Sequence, residues 1–558
     1  MTPESPRVQP RSSRTEDATF ASSSRMDEDN EDFEFDYTDA ILQLAPTHDD
    51  GEGIEEQRHH RSTSSHARLT LFDAISLTIG LQVGSGIFSS PGVITAYTGS
   101  IGASLLIWVI SGILALTGAS SYAELASAIP LNGGPQAYLQ YAFGPLMSYL
   151  YSFTAIIAMK ASSAAIISTI FGEYTTRVIL HLIGGQGREF HKLLPKDLPM
   201  FLVKALASSA IFVVFLVHAF HPMVGPRVQL SVTITKILLL GSIPTIAIVL
   251  AHQGKIPEAS SQAFSSIPSL FSGSTSDISR YALALYSGLW AYDGWDQSTF
   301  VAGEMVNPSR DISRAISFST LTVMALFLTT VISYFVVLPP DVVVRTNSVA
   351  LDFGSSAFGS IGGILFAALV AFSCLGALNG HLYTYSRLTA AAGRDGFLPH
   401  AIGTMNTRFH TPLNALILTC CLATAFVVFG SGFASLVNFS GVCAWFWYGT
   451  TVTGLLVLRV NEPHLERPFR VWIVIPIVFV MIALFLLIMP VFSAPWEALA
   501  AFGFIAVGVL LYFLTQSEGR QAFLARFSQS QYSFEPIPTE NDQPLHLQSD
   551  TPAAQDRN

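Results

Sequence analysis

Apolar and polar positions divide the chain into three parts. Residues 1–66 are rich in Asp, Glu, Ser and Arg, and residues 517–558 in Gln, Ser and Pro; between them long apolar runs follow one another with short polar breaks. A helix rises about 1.5 Å per residue, so crossing a hydrocarbon layer about 30 Å thick takes about 20 mostly apolar residues. That ruler predicts spans near residues 71–98, 101–127, 144–172, 201–220, 228–251, 280–304, 313–338, 361–391, 412–430, 434–458, 471–492 and 496–515. The first, sixth and eighth have room to be longer than one crossing or broken. The predicted fold class is an all-α polytopic membrane protein of about twelve transmembrane helices. Its membrane domain runs over 67–516, with a disordered N-tail at 1–66 and a C-tail at 517–558.

An even number of crossings leaves both tails on one face. That face would hold Arg227, Arg310, Arg314, Arg394, Arg408, Arg459, Arg467 and Arg470 in its loops, with Arg61, Arg68, Arg520 and Arg526 beside the first and last spans. The opposite loops hold Arg177, Arg188, Lys192, Lys196, Lys255, Arg280 and Arg345. Basic residues favour the cytoplasmic side, so both tails are predicted to be cytoplasmic.

Two spans are interrupted in the middle. The first reads Leu71-Phe-Asp-Ala-Ile-Ser-Leu-Thr-Ile-Gly-Leu-Gln-Val, then Gly84-Ser-Gly-Ile-Phe-Ser-Ser-Pro91. Glycine costs about 1 kcal/mol in a helix interior relative to alanine, and Pro91 is expected to close an unwound stretch. The sixth reads Tyr286-Ser-Gly-Leu-Trp-Ala-Tyr-Asp-Gly-Trp-Asp296, with Gly288 and Gly294 bracketing polar and aromatic residues. Free backbone groups at membrane depth are tolerated only where they line a cavity. Breaks five spans apart are what an inverted repeat of five plus five would give. The N–H groups of one half-helix hold a carboxylate and the carbonyls of another hold an ammonium, and an α-amino acid carries both. The alternative is that these glycines only allow close helix packing.

Composition agrees with burial in lipid. Of 558 residues, 50% are hydrophobic and only 12% charged, where soluble domains carry about a quarter. The formal charge of −10 comes largely from the tails and says little about a ligand. Cys374, Cys420, Cys421 and Cys443 all lie in apolar runs, so free thiols packed like small apolar residues are expected rather than disulfides. The histidines are scattered, with His381 and His400 well apart, and neither a metal-ligand cluster nor a nucleophile or nucleotide motif is present. This argues against an enzyme and implies no cofactor and no metal; nothing points to nucleic acid.

An ordered set of motifs resembles the L-type amino acid transporter family of the amino acid–polyamine–organocation superfamily. The matches are Gly84-Ser-Gly-Ile-Phe with Ser90-Pro91, Tyr122-Ala-Glu-Leu with Ile129-Pro130 and Gly133-Gly134, Arg227-Val-Gln with Lys236, and Ala284-Leu-Tyr-Ser-Gly-Leu-Trp-Ala-Tyr-Asp-Gly-Trp. They continue through Glu304-Met with Asn307-Pro308, Val349-Ala-Leu-Asp-Phe-Gly, Asn379-Gly with Ser386-Arg-Leu, Gly393-Arg-Asp-Gly-Phe-Leu-Pro and Glu466-Arg-Pro, covering about residues 69–515. The resemblance implies a five-plus-five inverted repeat with two extra helices and broken helices one and six. Its substrate site would be built from Gln82, Gly84, Ser85, Gly86, Trp290 and Asp293. The Ser85 and Gly86 N–H groups would hold the carboxylate, and carbonyls near Gln82 and Trp290 the ammonium. Trp290 stands where the family places an aromatic gate, or is an ordinary core aromatic. Lys236 would substitute for the ion that ties the first helix to the eighth in sodium-driven relatives of this fold. It is either a tether or a proton-coupling group.

Asp293 and the segment Ile156-Ile-Ala-Met-Lys160-Ala-Ser-Ser resemble the members that take cystine and dibasic amino acids. Asp293 would then favour a cationic side chain, unless it bonds Lys160 or unwound backbone instead. Glu124 and Glu304 are expected to be structural network residues. Animal light chains carry a cysteine after the third span that bonds a glycoprotein heavy chain. Here Tyr174 is followed by Thr175-Thr176 with no cysteine through residue 200, so no disulfide-linked heavy chain is expected. A non-animal, fungal-type member fits that departure. The expected function is sodium-independent L-amino acid transport by alternating access, as exchange or proton-linked uptake. Neutral and also cationic substrates are expected, in the plasma membrane ahead of the vacuole. An amino acid-sensing receptor on the same fold is the alternative.

Overall fold

The computed structural model describes residues 69–184, 198–220, 224–346, 348–406, 408–409, 411–430, 433–493 and 495–515. The tails expected at 1–66 and 517–558 lie outside the described residues. Every regular element among those described is helical. In chain order the helices are α1 (Leu71–Gln82), α2 (Gly86–Thr98), α3 (Ile101–Ala128), α4 (Pro135–Phe143), α5 (Pro145–Thr154), α6 (Lys160–Gly184), α7 (Met200–Phe220) and α8 (Val224–His252). Then come α9 (Glu258–Ala263), α10 (Ile267–Leu270), α11 (Ile278–Ala291), α12 (Pro308–Val337), α13 (Pro340–Arg345), α14 (Val349–Arg394) and α15 (His400–Gly403). The last four are α16 (Leu413–Phe429), α17 (Phe433–Asn461), α18 (Val474–Ser493) and α19 (Pro495–Thr515).

Ten helical stretches among the described residues are long and apolar enough to cross a membrane, and each coincides with a predicted span. The other two predicted spans correspond to α16, which is 17 residues long, and to the interrupted stretch 278–304. Several helices turn large apolar side chains outward: Phe212 on α7, Leu238 on α8, Leu484 on α18 and Leu510 on α19 are all exposed. Such surface is unstable in water and natural against hydrocarbon. The chain is an integral, multi-pass, all-α membrane protein.

The interruptions have local causes. Thr70 caps α1, accepting from the Asp73 N–H while the Asp73 carboxylate accepts from the Thr70 N–H at 2.9 Å. The helix ends at Gln82 and resumes at Gly86, so the unwound stretch is residues 83–85. Pro91 does not close the break as predicted; it lies inside α2. Ser85 already has helical dihedrals and its carbonyl accepts from Phe88 and Ser89, so the helix is nucleated before the proline. Only one ladder bond is then lost at Pro91. In the sixth span α11 stops at Ala291, Gly294 takes φ +103°, and residues Gln297–Glu304 continue as a 3₁₀ helix.

The eighth span is longer than predicted. α14 runs from Val349, with a break at Phe358 and Gly359 (φ +70°) that folds its first turns back along the rest. The third span carries a π-turn, Ala155–Met159, between α5 and α6. Of the cysteines, Cys374, Cys420 and Cys443 are buried as expected. Cys421 is exposed, because on α16 it is the neighbour of the inward-facing Cys420 and lies on the outer side of the helix.

Candidate substrate site between two broken helices

α2 and α11 meet closely where Gly86 lies against Ala291. A Cβ on Gly86 would overlap the Ala291 backbone, so only glycine allows this approach. The two breaks thereby face one another and are joined by Gln82, whose Nε2 donates to the Tyr292 carbonyl at 3.2 Å. Around them lies a small cavity of about 20 Å³, lined by Leu81, Gln82, Gly84, Ser85, Gly86, Ser163, Ile167, Trp290, Ala291 and Asp293. All six residues singled out from the sequence as substrate ligands are in its wall.

The backbone chemistry of the cavity is uneven. Among the described residues the N–H groups of Gly84, Ser85 and Gly86 donate to no backbone carbonyl. They stand at the N-terminus of α2, where helical polarity favours an anion. The Val83 carbonyl accepts from Ser373 Oγ at 3.2 Å. The Trp290 carbonyl, expected to face an ammonium, already accepts from the Asp293 N–H at 3.2 Å.

A second chamber, about 50 Å³, adjoins the first; Ser163, Trp290 and Asp293 belong to both walls. It is lined further by Lys160 and by an aromatic group that includes Tyr286, Trp295, Trp445 and Tyr448. Asp293 does not bond Lys160. Its Oδ1 accepts from the Tyr448 hydroxyl at 2.7 Å, while Lys160 Nζ sits over the Phe300 ring, 4.4 Å from its centroid. Lys160 directly follows the π-turn, and Tyr448, which takes its place as the partner of Asp293, stands on α17. Tyr448, Ser163 and Ile167 were not identified from the sequence. Ser163 lay in the segment already singled out; Tyr448 is one of four consecutive aromatics, Trp445 to Tyr448, and nothing in that run distinguishes it from its neighbours.

Lys236 lies outside both walls. Its Nζ donates to the Gly80 carbonyl at 2.5 Å, and a Cβ on Gly376 of α14 would be 3.3 Å from its Cε. The ammonium thus sits between the first span and the eighth. Thr233 Oγ1, one turn away, donates to the Ser76 carbonyl at 2.9 Å. Glu124 and Glu304 are in networks, as expected. The buried Glu124 carboxylate takes a hydrogen-bonded ion pair from Arg459, a contact from Arg467 at 3.8 Å and the Val471 N–H at 2.8 Å. Glu304 accepts from Tyr383 at 3.0 Å and from Arg387 Nε at 3.2 Å.

The decisive comparison is with family models: the amino acid permease model matches residues 69–514, through every element just described. The chain belongs to the amino acid permease family. Membership assigns it to amino acid transport in a membrane, in a family of transporters not known as enzymes. It is similar to the b(0,+)-type amino acid transporter 1 of Mus musculus, 35% identical over 455 residues, 81% of this chain and 89% of the relative. It is also similar to the cystine/glutamate transporter of Homo sapiens, 31% identical over 83% of this chain and 88% of that protein. The Asc-type amino acid transporter 1 of Mus musculus is 32% identical over 80% of each chain.

Proposed function

We propose that this permease moves L-amino acids by alternating access through the cavity between α1–α2 and α11, without sodium. The observation that carries the reading is the single cavity wall in which the unpaired Gly84, Ser85 and Gly86 N–H groups, Gln82, Trp290 and Asp293 come together. The substrate carboxylate docks on those N–H groups at the start of α2. Its side chain extends past Trp290 into the aromatic chamber, and the Trp290 ring, shared by both walls, opens and closes that passage. Neutral substrates leave Asp293 bonded to Tyr448. Cationic ones draw its carboxylate by Coulomb attraction in a partly dry site. The name of the b(0,+)-type relative accords with that choice of substrates.

Lys236 occupies the place between the first and eighth spans with a fixed ammonium, which supports sodium independence. It serves as tether or as proton relay in exchange or proton-linked uptake. Twelve crossings in a five-plus-five repeat with two added helices, both tails cytoplasmic, and residence in the plasma membrane complete the reading. No heavy chain is joined by disulfide, because residues 173–200 hold no cysteine.

The test is uptake of radiolabelled amino acids by the purified chain in liposomes, with and without a pH gradient, in sodium and in choline buffer. Saturable uptake independent of sodium, stimulated by internal amino acid or by inward proton force, is the expected result. Saturable binding without flux would replace the carrier with a receptor. Trp290→Ala should lower turnover, and unchanged uptake would remove the gate.

A further inference from the structure

Gln82 has a side chain whose two ends are treated differently. Its Nε2 is spent on the Tyr292 carbonyl, while its Oε1 is buried and has no hydrogen-bond partner among the described residues. The orientation is fixed chemically: turned the other way, the amide oxygen would face a carbonyl oxygen, two acceptors in contact. A buried amide oxygen without a donor is costly to keep, which makes its persistence beside a ligand cavity informative. Gln82 itself is 1% exposed and stands in the wall of the smaller chamber, across the break from the Gly84–Gly86 N–H groups. The Trp290 carbonyl, the other expected acceptor, is already occupied.

The geometry points to the Gln82 side-chain amide, beyond any backbone carbonyl, as an acceptor for the substrate's α-ammonium, and therefore as the group that selects primary amines over N-alkylated ones. This rests on the transport reading above. An ammonium has three N–H bonds, and in a site closed to water each needs an acceptor. With Oε1 as one of them, replacing an N–H by N–CH₃ leaves the amide oxygen unsatisfied again and places a methyl group against it. The penalty falls on the analogue, not on the parent amino acid. Gln82 also fastens the two breaks together through Nε2, so the site for the amine and the link between the broken helices are the same side chain.

The experiment uses the full chain in liposomes. The probes are the amino acid that competes best for wild-type uptake and its N-methyl and N,N-dimethyl derivatives. The wild type should bind the primary amine about tenfold or more tightly than the N-methyl form, the expected size of one lost hydrogen bond to a charged group. Gln82→Met should weaken the parent about tenfold more than the N,N-dimethyl form, so the ratio collapses, while any loss shared by all three probes reports the lost Nε2 link to Tyr292. Gln82→Glu, which keeps an acceptor, should preserve the ratio. Equal weakening of all three probes in Gln82→Met would mean that Gln82 is only a link between helices. Equal affinities of the wild type for all three would overturn the assignment even if neither variant folds. Absence of saturable uptake of any amino acid by the wild type would instead remove the transport reading, and this inference with it.

Discussion

At the scale of single residues, the proposed function gives the pair Asp293–Tyr448 the balance between substrate classes. The hydroxyl gives the carboxylate a neutral partner at 2.7 Å, so the site is satisfied when no cation is present. Asp293→Gly should weaken arginine or lysine about tenfold or more while changing leucine much less, because only the cations lose a charge-assisted contact. Competition curves against one labelled substrate give the answer, and equal losses would discard the specificity role. Tyr448→Phe should act in the opposite sense: leucine weakens because a buried carboxylate is left bare, and arginine, which can supply the missing donor, weakens less. A parallel loss of both would show that Tyr448 acts on the fold. Single residues were also where the sequence was least legible. Gly84, Ser85, Gly86 and Trp290 were marked by the polar break around them and by resemblance. The partner of Asp293 was not, because a tyrosine at residue 448 looks like any other ring among Trp445, Phe446 and Trp447 until the spans are assembled.

At the scale of elements, the breaks were legible because glycine and proline leave a mark on helix energetics that apolar composition does not hide. Both appear where the glycines are, at residues 83–85 and after Ala291. Their extents were not legible. Helix resumes at Gly86 because of Ser85's dihedrals, and residues Gln297–Glu304 turn 3₁₀ after Gly294 adopts φ +103°, neither of which composition encodes. The π-turn Ala155–Met159 was invisible for the same reason: its sequence is an ordinary apolar run, and the carbonyl of Ile156 inside it accepts from the Tyr385 hydroxyl, a partner far along the chain. The close crossing of α2 and α11 yields a steric prediction. Gly86→Val puts a branched side chain into the Ala291 backbone and should abolish uptake, while Ser89→Ala in the next turn should not. Wild-type kinetics in Gly86→Val would mean that the two helices do not stay in contact at this point.

At the scale of the whole molecule, polar networks hold distant spans together. Glu124 joins α3 to the end of α17 and to the strand of chain before α18 through Arg459, Arg467 and the Val471 N–H. Removing the carboxylate leaves two guanidinium groups without their shared partner, so Glu124→Ala should cost about 3 kcal/mol. Thermal unfolding of the detergent-purified protein measures this, and an unchanged midpoint would assign the network no part in stability. Replacing sodium by choline should leave uptake unaltered, since the Lys236 ammonium fills the space between Gly80 and Gly376; strict sodium dependence would refute that account.

The seam between α2 and α11 has a mechanical meaning. Its inner end is the contact of Gly86 with Ala291, and its outer end is fastened by Arg280, which donates to the Ala96 carbonyl at 2.9 Å, and by the Thr275 N–H on the Thr98 carbonyl at 3.0 Å. Clamped at both ends, the two half-helices are joined as one strut. In the proposed transport cycle that strut would move whole and slide its flanks over α3 and α14, so the wear surfaces would lie outside the strut and not along its joint.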